Sequence, residues 1–146
     1  MNIQNRIDLA SSLPLEELLN TLPGGFNAIK DIEERRNVIN SLLRMMTAEL
    51  PPIENVVIED RNIDGPDGLL ELRVRIYKPA DVSGSLPGIF FIHGGGMIMG
   101  SIEGENLKAA MLCETIQSVV VSVEYRLAPE NPHPAPVQDC YEALVW

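Results

Sequence analysis

One stretch carries residue types and spacing that could do chemistry: His93-Gly94-Gly95-Gly96, directly after the apolar run Ile89-Phe90-Phe91-Ile92. Three glycines in succession leave the backbone without Cβ atoms, so it can take positive φ and let another molecule approach its N–H groups. Bare backbone donors at the C-terminal end of a sheet strand are suited to steadying a negative charge that develops on a substrate. The simpler reading of the same glycines is a tight turn between strand and helix, and the glycines alone do not separate the two. His93 and His133 are the two histidines, and Cys113 and Cys140 the two cysteines. Neither cysteine belongs to a CxxC pair, and His93, His133 and Asp139 lack the spacing of a ligand set. No metal and no cofactor is expected.

The elements that must position this loop follow from pattern. Residues 1–52 read as a helical cap segment and 53–146 as a core. Leu15, Leu18, Leu19 and Leu22 recur at helical spacing behind Pro14, which suits a first turn, and Pro23-Gly24-Gly25 ends that helix. A second helix is expected from about Lys30 to Glu49, with Ile32, Arg35, Val38, Ile39, Leu42, Leu43 and Met46 as its stripe, closed by Pro51-Pro52. Strands are expected over Val56–Arg61 and Leu70–Tyr77. In the second, Leu72, Val74 and Ile76 alternate with Glu71, Arg73 and Arg75, the period of a sheet with one wet face. Asp64-Gly65-Pro66-Asp67-Gly68 between them predicts an antiparallel hairpin. Ile89–Ile92 is short and apolar, which predicts a strand buried on both faces. A helix is expected over Ser101–Gln117, with Leu107, Ala110, Met111 and Leu112 inward, then a strand over Ser118–Arg126. Strand, helix and strand make a parallel βαβ unit. After a loop with four prolines, a last helix over Val137–Trp146 would bury Val137, Tyr141, Leu144 and Val145. It reaches Trp146 without a glycine cap or polar tail, which reads as a fragment of a longer chain. The fold class is α/β.

Composition bounds the function. At 146 residues, with 45% hydrophobic and 22% charged side chains, the chain resembles one soluble globular domain. A net charge of −10 repels phosphate backbones and anionic membrane surfaces, which argues against nucleic-acid partners. No apolar run approaches the ~20 residues that span a bilayer. Met1–Asp8 lacks a basic-then-apolar leader, and two thiols make no disulfide framework, so a cytoplasmic location is expected.

Two linked motifs make the reading specific. His93-Gly94-Gly95-Gly96, with Val121-Ser122-Val123-Glu124-Tyr125-Arg126-Leu127-Ala128-Pro129-Glu130 and Pro132-His133-Pro134-Ala135-Pro136-Val137-Gln138-Asp139-Cys140, resembles the hormone-sensitive-lipase branch of the α/β-hydrolases. The motifs cover roughly residues 55–146, and the resemblance reaches 1–50 only through helices where that branch carries part of its cap. It implies the amino-terminal part of an α/β-hydrolase sheet and hydrolysis of small acyl esters through a Ser–His–Asp triad. Gly95 and Gly96 would be oxyanion donors, with a third from the residue after the nucleophile. His93 and Gly94 would hold the loop in shape. Met97 stands where the family usually carries an aromatic and, with Ile98, would wall the substrate pocket. Ala128–Pro129 and His133–Pro134 are expected to be cis.

Ser85, Ser101, Ser118 and Ser122 all lack the Gly-x-Ser-x-Gly frame, so the triad is expected beyond Trp146 and this chain alone should be inactive. In that family the strand ending at His93 is interior. Its open edge here would favour self-association, or union with the missing carboxy-terminal half. A receptor-like ligand-binding protein on the same fold, or an inactive truncated product, is the alternative.

Overall fold

The computed structural model describes residues 7–48, 50, 53–68 and 71–146. Glu49, Pro51, Pro52 and Leu70, to which helix and strand limits were assigned, lie outside them. The chain divides into two units, Met1–Val38 and Ile39–Trp146.

In the first unit, helix α1 spans Leu9–Thr21, so it begins before Pro14, which lies inside it. The turn is already closed upstream, where Ser11 and Ser12 N–H both donate to Asp8 O. Proline has no N–H, so Ala10 O receives no helical hydrogen bond from Pro14. The leucine stripe is only half covered: Leu15 and Leu22 are partly buried, while Leu18 and Leu19 are exposed. Helix α2 spans Ile32–Thr47 and so runs from the first unit into the second. Asp31 caps it, its Oδ1 accepting from Glu34 N–H at 2.8 Å, and Glu33 and Glu34 suit the positive end of its dipole. Arg35, on the expected apolar stripe, instead donates to Ile29 O, and Met46 at the far end is exposed.

Among the described residues of the second unit, four strands form one sheet in the order β1-β2-β4-β3: β1 Val56–Asp64, β2 Glu71–Pro79, β3 Gly88–Ile92 and β4 Val119–Val123. The hairpin β1–β2 is antiparallel, with Val56 opposite Pro79 and Asp64 opposite Glu71. Strand β4 runs antiparallel to β2 and parallel to β3, with Ile92 beside Val123. Helix α3 (Asn106–Ile116) completes the βαβ unit, and α4 (Ala135–Val145) follows the proline loop. Ala128–Pro129 and His133–Pro134 are both cis.

The helices cover opposite faces of the sheet. Tyr77 and Val120 pack with Ala109, Ala110 and Cys113 of α3, joined by Ile89 and Phe91. Leu72, Val74, Val123 and Tyr125 pack with Ala143 of α4, joined by Phe90 and Cys140. Four expectations change as a result. The Arg73/Arg75 face of β2 is not simply wet: Arg75 pairs with Asp60, both arginines reach Glu103, and Arg73 also reaches Glu124. Strand β3 is only half-buried, and Ile92 is 52% exposed, because β3 forms the edge of this sheet. Helix α3 starts at Asn106 and not at Ser101, since Ser101 Oγ accepts from Gly104 N–H (3.0 Å) and holds the intervening residues in turns. Its inward residues are small, and Met111 points out.

Helix α4 is rotated from the expected face. Pro136, Asp139 and Ala143 are buried, while Val137, Tyr141, Leu144 and Val145 are exposed. Charge sets the rotation. Asp139 is 0% exposed, accepts from Arg126 N–H at 2.9 Å, and pairs with the Arg126 guanidinium through both carboxylate oxygens. A buried carboxylate needs such partners, and a four-residue apolar stripe does not outweigh them.

Candidate active site

Strand β3 ends at Ile92 and delivers His93–Gly100 at the sheet's edge. Every glycine but one in this loop has positive φ: Gly95 at 126°, Gly96 at 63° and Gly100 at 97°. Met97 also has positive φ, at 63°. At Gly95 and Gly100 close packing also requires glycine. A Cβ on Gly95 would lie 2.0 Å from Met99 O, and one on Gly100 would lie 2.2 Å from Gly94 O. Gly95 O accepts from both Ile98 and Met99 N–H at 3.2 Å, which folds the loop back on itself. Among the described residues, no acceptor meets the N–H groups of Gly94, Gly95 or Gly96. The peptide donors of the glycine run are therefore left over once the loop is built.

His93 shapes the entry to this loop. It is 2% exposed, and its ring stacks on Tyr125 with centroids 4.1 Å apart and planes 12° from parallel. Its Nδ1 faces Gly94 O at 3.0 Å, and a carbonyl can only accept, so Nδ1 carries the hydrogen. Nε2 has no partner among the described residues. The Tyr125 hydroxyl donates to His93 O at 2.8 Å, and burial pushes that phenol up to about 12. The loop's middle is held by Ala128 N–H donating to Met97 O at 2.8 Å.

Beside the loop lies an apolar recess of about 360 Å³, lined by Ile92, His93, Gly96, Met97 and Tyr125 with Pro136, Val137 and Cys140 of the α4 region. Met97 lines it; Ile98, half-buried, does not. Burial pushes the Cys140 thiol up to about 11, so it is neutral and poorly nucleophilic near pH 7. His133 is exposed in the proline loop, and Asp139 is committed to Arg126, so these two do not gather with His93 into one site. A second hollow of about 320 Å³, bordered by Asn40, Arg44 and Asn106, shares no residue with the glycine loop.

Sequence reasoning missed Tyr125, Ala128 and the Arg126–Asp139 pair. A signal existed for Tyr125: parallel pairing of β3 with β4 sets the residues just after Val123 beside those just after Ile92.

A family model described as alpha/beta hydrolase fold matches residues 89–146. The carboxylesterase NlhH of Mycobacterium tuberculosis is 37% identical over 134 residues, covering 90% of this chain and 40% of that protein. An arylesterase of Saccharolobus solfataricus is 38% identical over 114 residues, covering 78% of this chain and 35% of its own length. Among solved structures, a hyperthermophilic esterase from the archaeon Pyrobaculum calidifontis superposes with a TM-score of 0.80 at 32% identity, over 96% of this chain and 43% of that one. A bacterial heroin esterase gives 0.74 at 34% identity, over 79% and 36%. This chain thus spans less than half the length of each of these relatives.

Proposed function

This chain belongs to the α/β-hydrolases, and from that premise we propose that the whole protein is a carboxylic ester hydrolase of the hormone-sensitive-lipase branch, acting on small acyl esters, in which Gly95 and Gly96 donate to the oxyanion. Residues 1–52 are its cap segment and 53–146 the amino-terminal part of its core. A serine oxygen, supplied by the part of the protein that this chain does not include, bonds to the ester carbon while its proton passes to a histidine. The carbonyl π pair moves onto oxygen, and that oxygen needs donors. Each such N–H contributes ~2.7–4 kcal/mol to the transition state. The observation that carries the reading is the set of unclaimed glycine N–H groups on a loop bound at its entry and middle. As the tetrahedral species collapses, the histidine gives its proton to the leaving oxygen and the alcohol departs; water then repeats the sequence on the acyl-enzyme, releasing the acid and restoring the serine.

The stacked, carbonyl-bound state of His93 supports a role in holding the loop, with Gly94 as its anchor, and not in proton transfer. Met97 walls the pocket with a flexible thioether, whereas Ile98 does not line it. Free Cys113 and Cys140 support a reducing, cytoplasmic setting. The β3 edge and the exposed Ile92 support association through that edge, with the rest of the protein or with a second copy. The test is hydrolysis of p-nitrophenyl acetate by a protein of the relatives' full length: turnover is expected there and none from residues 1–146 alone. Absence of turnover in the full-length protein would refute the proposal.

A further inference from the structure

Glu124 is the first residue after β4. One of its carboxylate oxygens, Oε2, accepts from Ile102 N–H at 2.8 Å and from Arg73 Nη2 at 3.1 Å. The Ile102 side chain is fully buried, so its amide sits at a fixed point of the segment that leaves the glycine loop. Two residues upstream, Gly100 packs so closely on the loop's entry that a Cβ there would lie 2.2 Å from Gly94 O and 2.5 Å from His93 Nδ1. One residue further, Met99 N–H donates to Gly95 O. The entry and middle of the loop are held by Tyr125 and Ala128, and Glu124 stands at the exit.

We infer that Glu124 is a positioning residue for the Gly95 and Gly96 donors: its Oε2 fixes the Ile102 amide and, through Gly100 and Met99, the turn on which those donors sit. This inference rests on the oxyanion reading of the two glycines. Because a single oxygen meets both Ile102 and Arg73, the bond to Ile102 calls for an oxygen acceptor at the right reach and not for a charge.

Two conservative variants separate this role from a plain ion pair with Arg73. Glu124→Gln keeps the reach and an oxygen but loses the charge. Glu124→Asp keeps the charge but draws the oxygen back by one methylene. In the full-length protein, the positioning role predicts kcat on p-nitrophenyl acetate within about threefold of wild type for Glu124→Gln. For Glu124→Asp it predicts a loss of about tenfold or more, with KM little changed. Amide hydrogen exchange at Ile102 should be accelerated at least tenfold in Glu124→Asp alone, and the Gly95 and Gly96 amide resonances should shift with it. The reverse order, with Glu124→Asp active and Glu124→Gln impaired, would overturn the inference, as would wild-type behaviour of both. Equal loss in both with Ile102 exchange unchanged would also overturn it. If the wild-type full-length protein hydrolyses no ester, the oxyanion reading fails. The exchange and resonance readouts then judge the Glu124–Ile102–glycine coupling by themselves.

Discussion

Alanine at Gly95 and alanine at Gly96 should differ sharply, although the residues are neighbours with the same proposed role. At Gly95 an added Cβ would lie 2.0 Å from Met99 O and 2.5 Å from Met99 C, backbone atoms that cannot swing aside. Relief requires the turn to open, which gives up the two hydrogen bonds from Ile98 and Met99 to Gly95 O. These are worth about 1 kcal/mol each. A φ of 126° adds strain for any L-residue, of order 1–3 kcal/mol. The penalty of about 3–5 kcal/mol exceeds what the loop can absorb in place, so the Gly95 donor moves off target. Loss of one donor lowers turnover by about 10²–10³-fold. At Gly96 a Cβ meets nothing within 4 Å, and φ of 63° costs a side chain about 1–2 kcal/mol. The Gly96→Ala loss should stay near tenfold or below. The assay is kcat/KM on p-nitrophenyl acetate for both full-length variants, with folding checked by circular dichroism. Equal activities, or Gly96→Ala the weaker, would refute the steric argument.

Further outcomes follow from the same geometry. Gly100→Ala should lower thermal stability markedly, because its Cβ would displace both Gly94 O and the His93 ring; a Tm within 1–2 °C (about 0.3 kcal/mol) of wild type would contradict this. Arg126→Ala leaves the 0%-exposed Asp139 carboxylate without its ion partner, though still bonded to the main-chain N–H of residue 126, and should cost about 1–3 kcal/mol in denaturant unfolding. Tyr77 and Tyr125 are pushed up to about 12 and Cys140 to about 11, in each case by burial first. Their protons leave the unfolded chain at lower pH than the folded one, so stability should be full below about pH 8.5 and fall as pH rises through 9 to 12. Denaturant midpoints that rise across that window would contradict it. Residues 1–146 alone should self-associate through the β3 edge, and a monodisperse monomer by analytical ultracentrifugation would contradict that.

Period and punctuation made the strand order of events readable: the alternation in β2, the glycine–proline turn before it and the short apolar run of β3 all lie where pattern put them. Patterns that depend on a partner surface were not readable. Apolarity of Ile89–Ile92 says that the strand tolerates burial, not that a neighbour is there to bury it, and here β3 is an edge. Periodicity in α4 favoured the side with Tyr141 and Leu144, but the buried Asp139 carboxylate, held by Arg126 13 residues away in sequence, turned the helix the other way. The glycine loop itself was legible because glycine at a forbidden φ leaves a trace in composition. The groups that hold it, Tyr125, Ala128 and Glu124, use ordinary residue types whose roles exist only once β3 lies beside β4.

A negative oxygen formed on the substrate should sit against the Gly95 and Gly96 amides, and trapping one shows its place. The full-length protein, inactivated with a small alkyl phosphonate ester and crystallised, should carry phosphorus on a serine oxygen. A phosphonyl oxygen should then lie about 2.7–3.1 Å from the nitrogens of both Gly95 and Gly96. A phosphonyl oxygen turned away from those two amides, or a serine that takes no phosphonate, would contradict the account.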